Sequence, residues 1–393
     1  MRMIQMKVSN TKCFYEDIVI NFNTSDGVRS SDNMGDFDAP VYKIKPGIYT
    51  QNTIGIVGLN ATGKTTILEI MLLILHVVFN HQLLNYDEAA RILHKIFPEK
   101  SMDLKWEAIF IDKNKIYKLE SIIGMNEQNR FFYKDETIYS KNLALINSRN
   151  WNIFSENDME KNRADEKQNP YLKNDATIAQ IIGDYEGKIL STENTVNFNL
   201  PYWKGSPEQS FIKCFDPNIR NIKVDEASGE MTLSFFNQNR KYIGNLLSIS
   251  SSYLSSGTIK GLSLLPTLIE AFEYGGYVII DELENHLNKK IIEWVIGLFS
   301  DKRVNPKGAC LIFTTHYSEL LDCFTRKDNI YVNVRKPGKG LQIVRFSDII
   351  KRNELAKSKI ILSNFIKGTA PSYVDLINAK KCIINMISKE QII

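Results

Sequence analysis

Apolar and polar residues alternate over residues 3–22 in the manner of two paired strands. Residues 23–40 turn to Ser, Asp, Asn and Gly, the composition of an exposed loop. A β-rich apolar run at 53–57 predicts a buried strand, and the helical pattern from Thr66 predicts a buried helix. Residues 86–97 carry helical spacing in Ala89, Ala90, Leu93 and Ile96, and Pro98 ends that helix. Short alternating runs from 104 to 139 predict an antiparallel sheet. Over 141–210 the period is lost. Residues 152–174 are polar, 176–182 predict a short helix, and 201–205 form a turn. Strand character returns over 211–245, at 219–224 and 231–236. A helical run at 259–271 and two apolar strands, at 277–282 and 311–316, complete the pattern. No a/d heptad is sustained, which excludes a long coiled-coil arm.

Composition narrows the class. The chain has 393 residues, 43% hydrophobic and 10% aromatic, enough for one large α/β domain with elaborations or for two domains. Cys13, Cys214, Cys310, Cys323 and Cys382 form no C-x-x-C pair, which points away from a zinc or disulfide framework and toward a reducing cytoplasm. No secretory pattern precedes Ser9. The longest apolar run, 67–79, is interrupted by Glu69 and His76 and is too short to span a membrane. Net charge is +4, but residues 335–393 carry +8 and residues 1–334 carry −4. Such a basic segment suits DNA or an acidic protein surface. Its basic residues are interleaved with core-type Ile and Leu, so a solvated helical face accounts for it equally well.

Chemistry enters at Gly58-Leu59-Asn60-Ala61-Thr62-Gly63-Lys64-Thr65, which fits G-x-x-x-x-G-K-[ST] between the predicted strand and helix. Such a loop turns backbone N–H groups toward phosphate, aided by the helix N-terminus. Gly58, Asn60, Ala61, Thr62, Gly63, Lys64, Thr65 and Thr66 are the candidate nucleotide contacts. Lys64 would reach the β- and γ-phosphates, and Thr65 would offer its hydroxyl to Mg²⁺.

Four weaker signals follow in order: Leu254-Ser255-Ser256-Gly257 before a helix, Asp281-Glu282 ending an apolar strand, residues 283–288, and His316 ending another strand. The whole series resembles the ATP-binding-cassette class of AAA-family ATPases, in particular the RecF/SMC/OLD-like heads. The resemblance covers roughly 1–140 and 246–334. It implies an α/β fold, a P-loop NTPase of the ABC ATPase head type. That fold has a mixed sheet with flanking helices, an antiparallel β subdomain and a compact α-rich insertion. Its divisions would be an N-terminal lobe (1–140), an insertion or lid (141–245), a C-terminal lobe (246–334) and a basic segment (335–393).

By the same resemblance, Ser255, Ser256 and Gly257 form the signature loop that completes a second subunit's site. Asp281 holds Mg²⁺, Glu282 is the general base, residues 283–288 form the D-loop, and His316 is the switch histidine. A serine-rich linker is the plain alternative for 248–256. Ser256 stands where many members carry Gly, and Asn288-Lys289 stands where the branch often has His-Pro. Gln128 is a candidate for the Q-loop glutamine, and adenine stacking is unassigned.

Compact ATPases of this layout resemble the ATPase subunits of prokaryotic anti-phage and abortive-infection systems. The implied function is an ATP- and Mg²⁺-dependent sensor or motor that hydrolyses ATP, dimerises or forms a higher oligomer around it, and controls a nuclease or toxin supplied in trans. A RecF-like DNA-repair clamp is the alternative, and a slow nucleotide-gated scaffold is another. A membrane role is not expected. A nuclease within the chain has little to stand on. The five histidines form no H-N-H pattern, and Asp36-Phe37-Asp38 lies in a loop. Asp175 with Glu186-Gly187-Lys188 only loosely mimics a restriction-type site, because Gly187 weakens the strand it needs.

Overall fold

The computed structural model describes residues 1–25, 27–28, 38–99, 102–166, 169–170, 172–182, 189–192, 205–336, 338, 340–351, 356–370 and 373–390. Glu186, Gly187, Lys188 and Asp36 lie outside them. In chain order the strands begin with β1 (Arg2–Ser9), β2 (Ile18–Asn21), β3 (Val41–Lys45), β4 (Ile48–Gln51) and β5 (Thr53–Gly58). Helices α1 (Lys64–Asn80) and α2 (Asp87–Ile96) follow, then β6 (Leu104–Asp112), β7 (Lys115–Met125), β8 (Phe131–Asn142), β9 (Met159–Asn162) and β10 (Ile189–Thr192). Next come α3 (Gln209–Phe215), β11 (Ile219–Val224), β12 (Glu230–Phe235), β13 (Lys241–Asn245), α4 (Leu246–Tyr253) and α5 (Ser256–Tyr274). The chain continues with β14 (Tyr277–Ile280), α6 (Lys289–Ser300), β15 (Cys310–Thr315), β16 (Ile330–Lys336) and β17 (Gly340–Arg345). It ends with α7 (Phe346–Ile349), α8 (Lys357–Leu362) and α9 (Tyr373–Glu390).

Two six-stranded sheets enclose α1. The first runs β2-β1-β6-β7-β8-β9 and is antiparallel at every pairing. The second runs β10-β14-β15-β5-β16-β17, parallel except at β17. Alternate residues of the parallel strands face opposite layers. Ile54, Ile56, Ile279 and Ile312 join α1 and the antiparallel sheet in one core, with Met3, Met6 and Phe110. Val57, Val278, Ile280, Leu311 and Phe313 join α5 and α6 in a second core, with Leu268, Ile292 and Phe299. A strand buried on both faces has no polar side to show, which is why 53–57 and 277–280 read as continuous apolar runs. The same burial explains α1, where Ile67, Ile70, Leu73 and Ile74 are all sealed from solvent.

The 141–245 segment departs from expectation. Its described residues hold one short α-helix, α3, against five strands, so that part is strand-rich and not α-rich. β9 extends the antiparallel sheet, β10 is the edge of the parallel sheet, and β11, β12 and β13 form a three-stranded sheet of their own. The reason lies in Ile222 and Val224 facing Leu233 and Met231, a period-two pattern that supports a sheet face. The predicted helix at 176–182 is a single 3-10 turn, Ile178–Ile181. Residues 248–252 lie inside α4, so the serines are helical and do not form a linker.

Candidate functional site

Three neighbouring strands deliver the candidate residues to one edge. β14, β15 and β5 are parallel and adjacent, with β15 in the middle. Asp281 and Glu282 follow β14, His316 follows β15, and Gly58 ends β5. The carboxyl ends of an open parallel sheet are where such folds place ligands.

The loop after β5 wraps close to the sheet. A Cβ on Gly58 would lie 2.5 Å from the Asn333 carbonyl oxygen, so only glycine lets β16 pass. Gly63 has φ +83 and caps α1 in the left-handed region, which glycine tolerates best. Ala61 is also left-handed at φ +58, and Arg335 Nη2 donates to its carbonyl at 2.9 Å. Asn60 and Ala61 are exposed. Thr62 is buried, with its hydroxyl donating to the Leu59 carbonyl at 2.7 Å, and Thr66 is buried on the first turn of α1.

Lys64 Nζ lies inside this loop. It donates to the carbonyls of Gly58 at 2.8 Å and Leu59 at 3.0 Å, and lies 3.3 Å from His316 Nδ1. Burial pulls its ammonium below the usual lysine range, against the opposing pull of Asp281, Glu282 and Glu284. An ammonium can only donate, so Nδ1 of His316 accepts and the ring's own proton sits on Nε2. Nε2 in turn lies 3.3 Å from Glu282 Oε1. His316 therefore bridges the lysine and the glutamate.

Asp281 is gripped twice. Thr65 donates to its Oδ2 at 2.7 Å, and Thr314 donates to its Oδ1 at 2.5 Å. Thr314 also accepts the amide of Glu282 at 2.7 Å, so one hydroxyl fixes both acids. Asn285 Nδ2 holds Glu282 Oε2 at 2.5 Å, and the buried Glu284 accepts the His316 amide at 2.5 Å. Glu282 has φ +49, in the left-handed region. Glu284 and Asn285 lie in the stretch expected as the D-loop, but their contacts to His316 and Glu282, and the part Thr314 plays, carry no signal in the sequence. Only β15 lying beside β14 reveals them.

Ser255, Ser256 and Gly257 open α5. Ser255 Oγ accepts the Thr258 amide at 3.0 Å as its N-cap. A Cβ on Gly257 would lie 2.5 Å from the His286 carbonyl oxygen, so the turn after Glu282 packs on this loop's backbone. Gln128 sits at the exposed tip of the β7–β8 turn, its amide held by Asn126 Oδ1 at 3.0 Å. A cavity of about 350 Å³ opens beside Thr65 and Asp281, with Glu69, Glu88 and Arg91 on its far wall. Larger cavities, of about 420 and 620 Å³, open beside Thr53 and Asn52 at the start of β5, away from these groups.

The donor set fits the expected ligands. Thr65 and Asp281 offer hard oxygens side by side, as Mg²⁺ requires. Lys64 sets a cation within the same loop. Among the described residues no helix is long and apolar enough to cross a membrane.

No curated protein matches the chain. Residues 152–322, less than half of the chain, match the family model described as "AAA domain, putative AbiEii toxin, Type IV TA system". That match begins after the phosphate loop and takes in Ser255, Asp281, Glu282 and His316. With the G-x-x-x-x-G-K-T loop and the paired acids on the two strands that flank β15, the chain fits an AAA/ABC-type ATPase resembling those of abortive-infection systems.

Proposed function

We propose that this chain is the ATP-hydrolysing sensor-motor of an anti-phage or toxin–antitoxin system, acting on an effector nuclease or toxin in trans. The observation that carries the reading is the chain of contacts Lys64–His316–Glu282 beside Thr65–Asp281. The family match supplies the defence context.

In this reading the 53–66 strand, loop and helix cradle the phosphates, and Lys64 adds the point charge. Thr65 and Asp281 would hold Mg²⁺, which offsets phosphate charge when bound. Glu282 orients and deprotonates the attacking water, since phosphoryl transfer needs a placed nucleophile and charge neutralisation. His316 would exchange its Lys64 contact for the γ-phosphate. Thr314 and Asn285 fix Glu282 from two sides, so the base is held before substrate arrives.

Ser255 is exposed and caps α5, with Ser256 and Gly257 half-buried after it. We assign them to the γ-phosphate of a second copy, which makes ATP the joint of a homodimer. The test is ATPase activity of the purified chain with Mg²⁺, together with capture of partners with and without ATP. Phosphate release and an ATP-dependent partner, with DNA and RNA left intact, are expected. Metal-dependent cleavage of nucleic acid by the pure chain overturns the assignment of the effector to another polypeptide.

A further inference from the structure

Lys260 is 1% exposed, yet it carries an ammonium. It lies on the first turns of α5, three residues after Gly257. It donates to the carbonyls of Glu282 at 3.3 Å, Leu283 at 3.1 Å and Asn285 at 2.8 Å. Three donors thus meet three acceptors of one turn. Burying a charge without such partners is strongly unfavourable. Glu284 and Glu282 favour the charge electrostatically, although burial still pulls the amine down to about 8.

The same turn is pinned on its other side by β15. Glu282 N binds Thr314 Oγ1, Leu283 N binds the Thr314 carbonyl at 3.1 Å, and Glu284 holds the His316 amide. The turn that carries Glu282 is therefore clamped between β15 and α5. The α5 side has further attachments. Gly257 packs against the His286 carbonyl, and Ile259 and Leu262 join the core of the β11–β13 sheet. Gly261 lies under Phe215 of α3, where a Cβ would come within 2.1 Å of the ring. A displacement of α5, whether from its exposed N-terminus or from the sheet packed on it, reaches the 282–285 backbone through Lys260.

We propose that Lys260 is a positioning residue: it makes the placement of Glu282 depend on the placement of α5 and its 255–257 loop. The proposal rests on the reading of Glu282 as the base. It predicts that removing the ammonium spares nucleotide capture, because Lys64, Thr65 and the loop amides lie on β5 and α1, while hydrolysis fails.

The test compares wild type with Lys260→Met, Lys260→Gln and Lys260→Arg. It reads binding of a fluorescent ATP analogue, steady-state hydrolysis and thermal unfolding. Lys260→Met should bind the analogue within about twofold of wild type and lose at least about tenfold in kcat. Lys260→Arg, which keeps charge and donors, should recover a third or more of the wild-type kcat. Lys260→Gln, with two donors for three carbonyls, should fall between them and stands in for Lys260→Met if that variant does not fold. A folded Lys260→Met or Lys260→Gln with kcat within twofold of wild type overturns the proposal. So does loss of binding in step with kcat, or an arginine variant no better than methionine. A wild type that binds the analogue without hydrolysing ATP sinks the ATPase reading itself, an outcome distinct from the others.

Discussion

Thr65, on the first turn of α1, donates its hydroxyl to Asp281, one residue past β14, at 2.7 Å across 216 positions of sequence. Two halves of a candidate site that lie far apart in the chain meet at this bond. β15 lies between the strands that bring them, and Thr314 and His316 at its end complete the arrangement. The meeting point is set by sheet order, so each functional group can be removed singly and its share measured.

Lys64 is the first such group. Its Nζ is buried among the Gly58 and Leu59 carbonyls and faces His316. Lys64→Ala removes the one cation inside the loop, and at least a hundredfold weaker ATP binding, about 3 kcal/mol, is expected. Equilibrium titration with a fluorescent analogue checks this. Affinity within threefold of wild type would refute the phosphate-loop assignment.

Glu282→Gln keeps the shape of the side chain and its place beside Asn285 but cannot take a proton. ATP should then bind and persist, and an ATP-dependent dimer should accumulate on size exclusion while turnover drops by two orders of magnitude or so. Turnover equal to wild type would remove Glu282 from the base position.

Thr314 is a subtler target, because its hydroxyl donates to Asp281 and accepts from the Glu282 amide. Thr314→Val keeps the volume and loses both bonds, leaving a buried amide unpaired at a cost of about 1–3 kcal/mol. Hydrolysis should fall about tenfold or more, with a smaller change in nucleotide affinity. Denaturant unfolding and steady-state kinetics on the same sample separate the two effects. A Thr314→Val enzyme with unaltered kcat would show that neither acid needs this clamp.

The strand, loop and helix of the candidate phosphate loop were legible because they are contiguous: strand, two glycines, lysine and helix lie in sequence order. The 104–139 sheet was legible because antiparallel pairing of neighbours leaves a local period of two. Thr314 and Lys260 were not, and of Glu284 and Asn285 only the 283–288 stretch was marked and not their contacts, since each acts through contacts set by strand order and helix packing. The 141–245 segment was opaque for another reason. Its strands go to three different sheets, so no single period governs it.

Glu136 on β8 offers a prediction about pH. It is 1% exposed and accepts from Ser121 at 3.0 Å, Thr177 at 2.9 Å, the Ile178 amide at 3.0 Å and Arg163 at 2.8 Å. Burial raises its carboxyl to about 7, although Arg163 and these donors pull the other way. A folded value above the unfolded one means that the folded state holds the extra proton between about 4.5 and 7. The stabilisation this proton gives is full below about 4.5 and is lost as pH rises through 7. Urea midpoints of wild type and Glu136→Gln, measured from pH 5 to 8, should therefore diverge. The stability of wild type relative to the variant should fall with rising pH, by on the order of 2 kcal/mol. A parallel pair of curves would show that the carboxylate stays charged throughout, held by Arg163.

Residues 255–257 supply the test of whether two copies share a site. Ser255 is committed to capping α5, and the half-buried Ser256 stands beside it on the first turn of the helix. Ser256→Arg places a bulky cation where a partner's γ-phosphate would sit, so homodimers of this variant should lose hydrolysis while each chain still binds ATP. Lys64→Ala homodimers should be inactive for the opposite reason. In a mixed dimer both lesions fall on one composite site, because that site takes its loop from one chain and its α5 start from the other. The second site then carries neither. An equal mixture of two inactive proteins should regain about a quarter of wild-type activity if chains exchange freely and sites act independently. Full activity in Ser256→Arg alone would refute the shared site. A mixture that stays inactive, with heterodimers shown by differential tagging, would mean that both sites must close together before either hydrolyses.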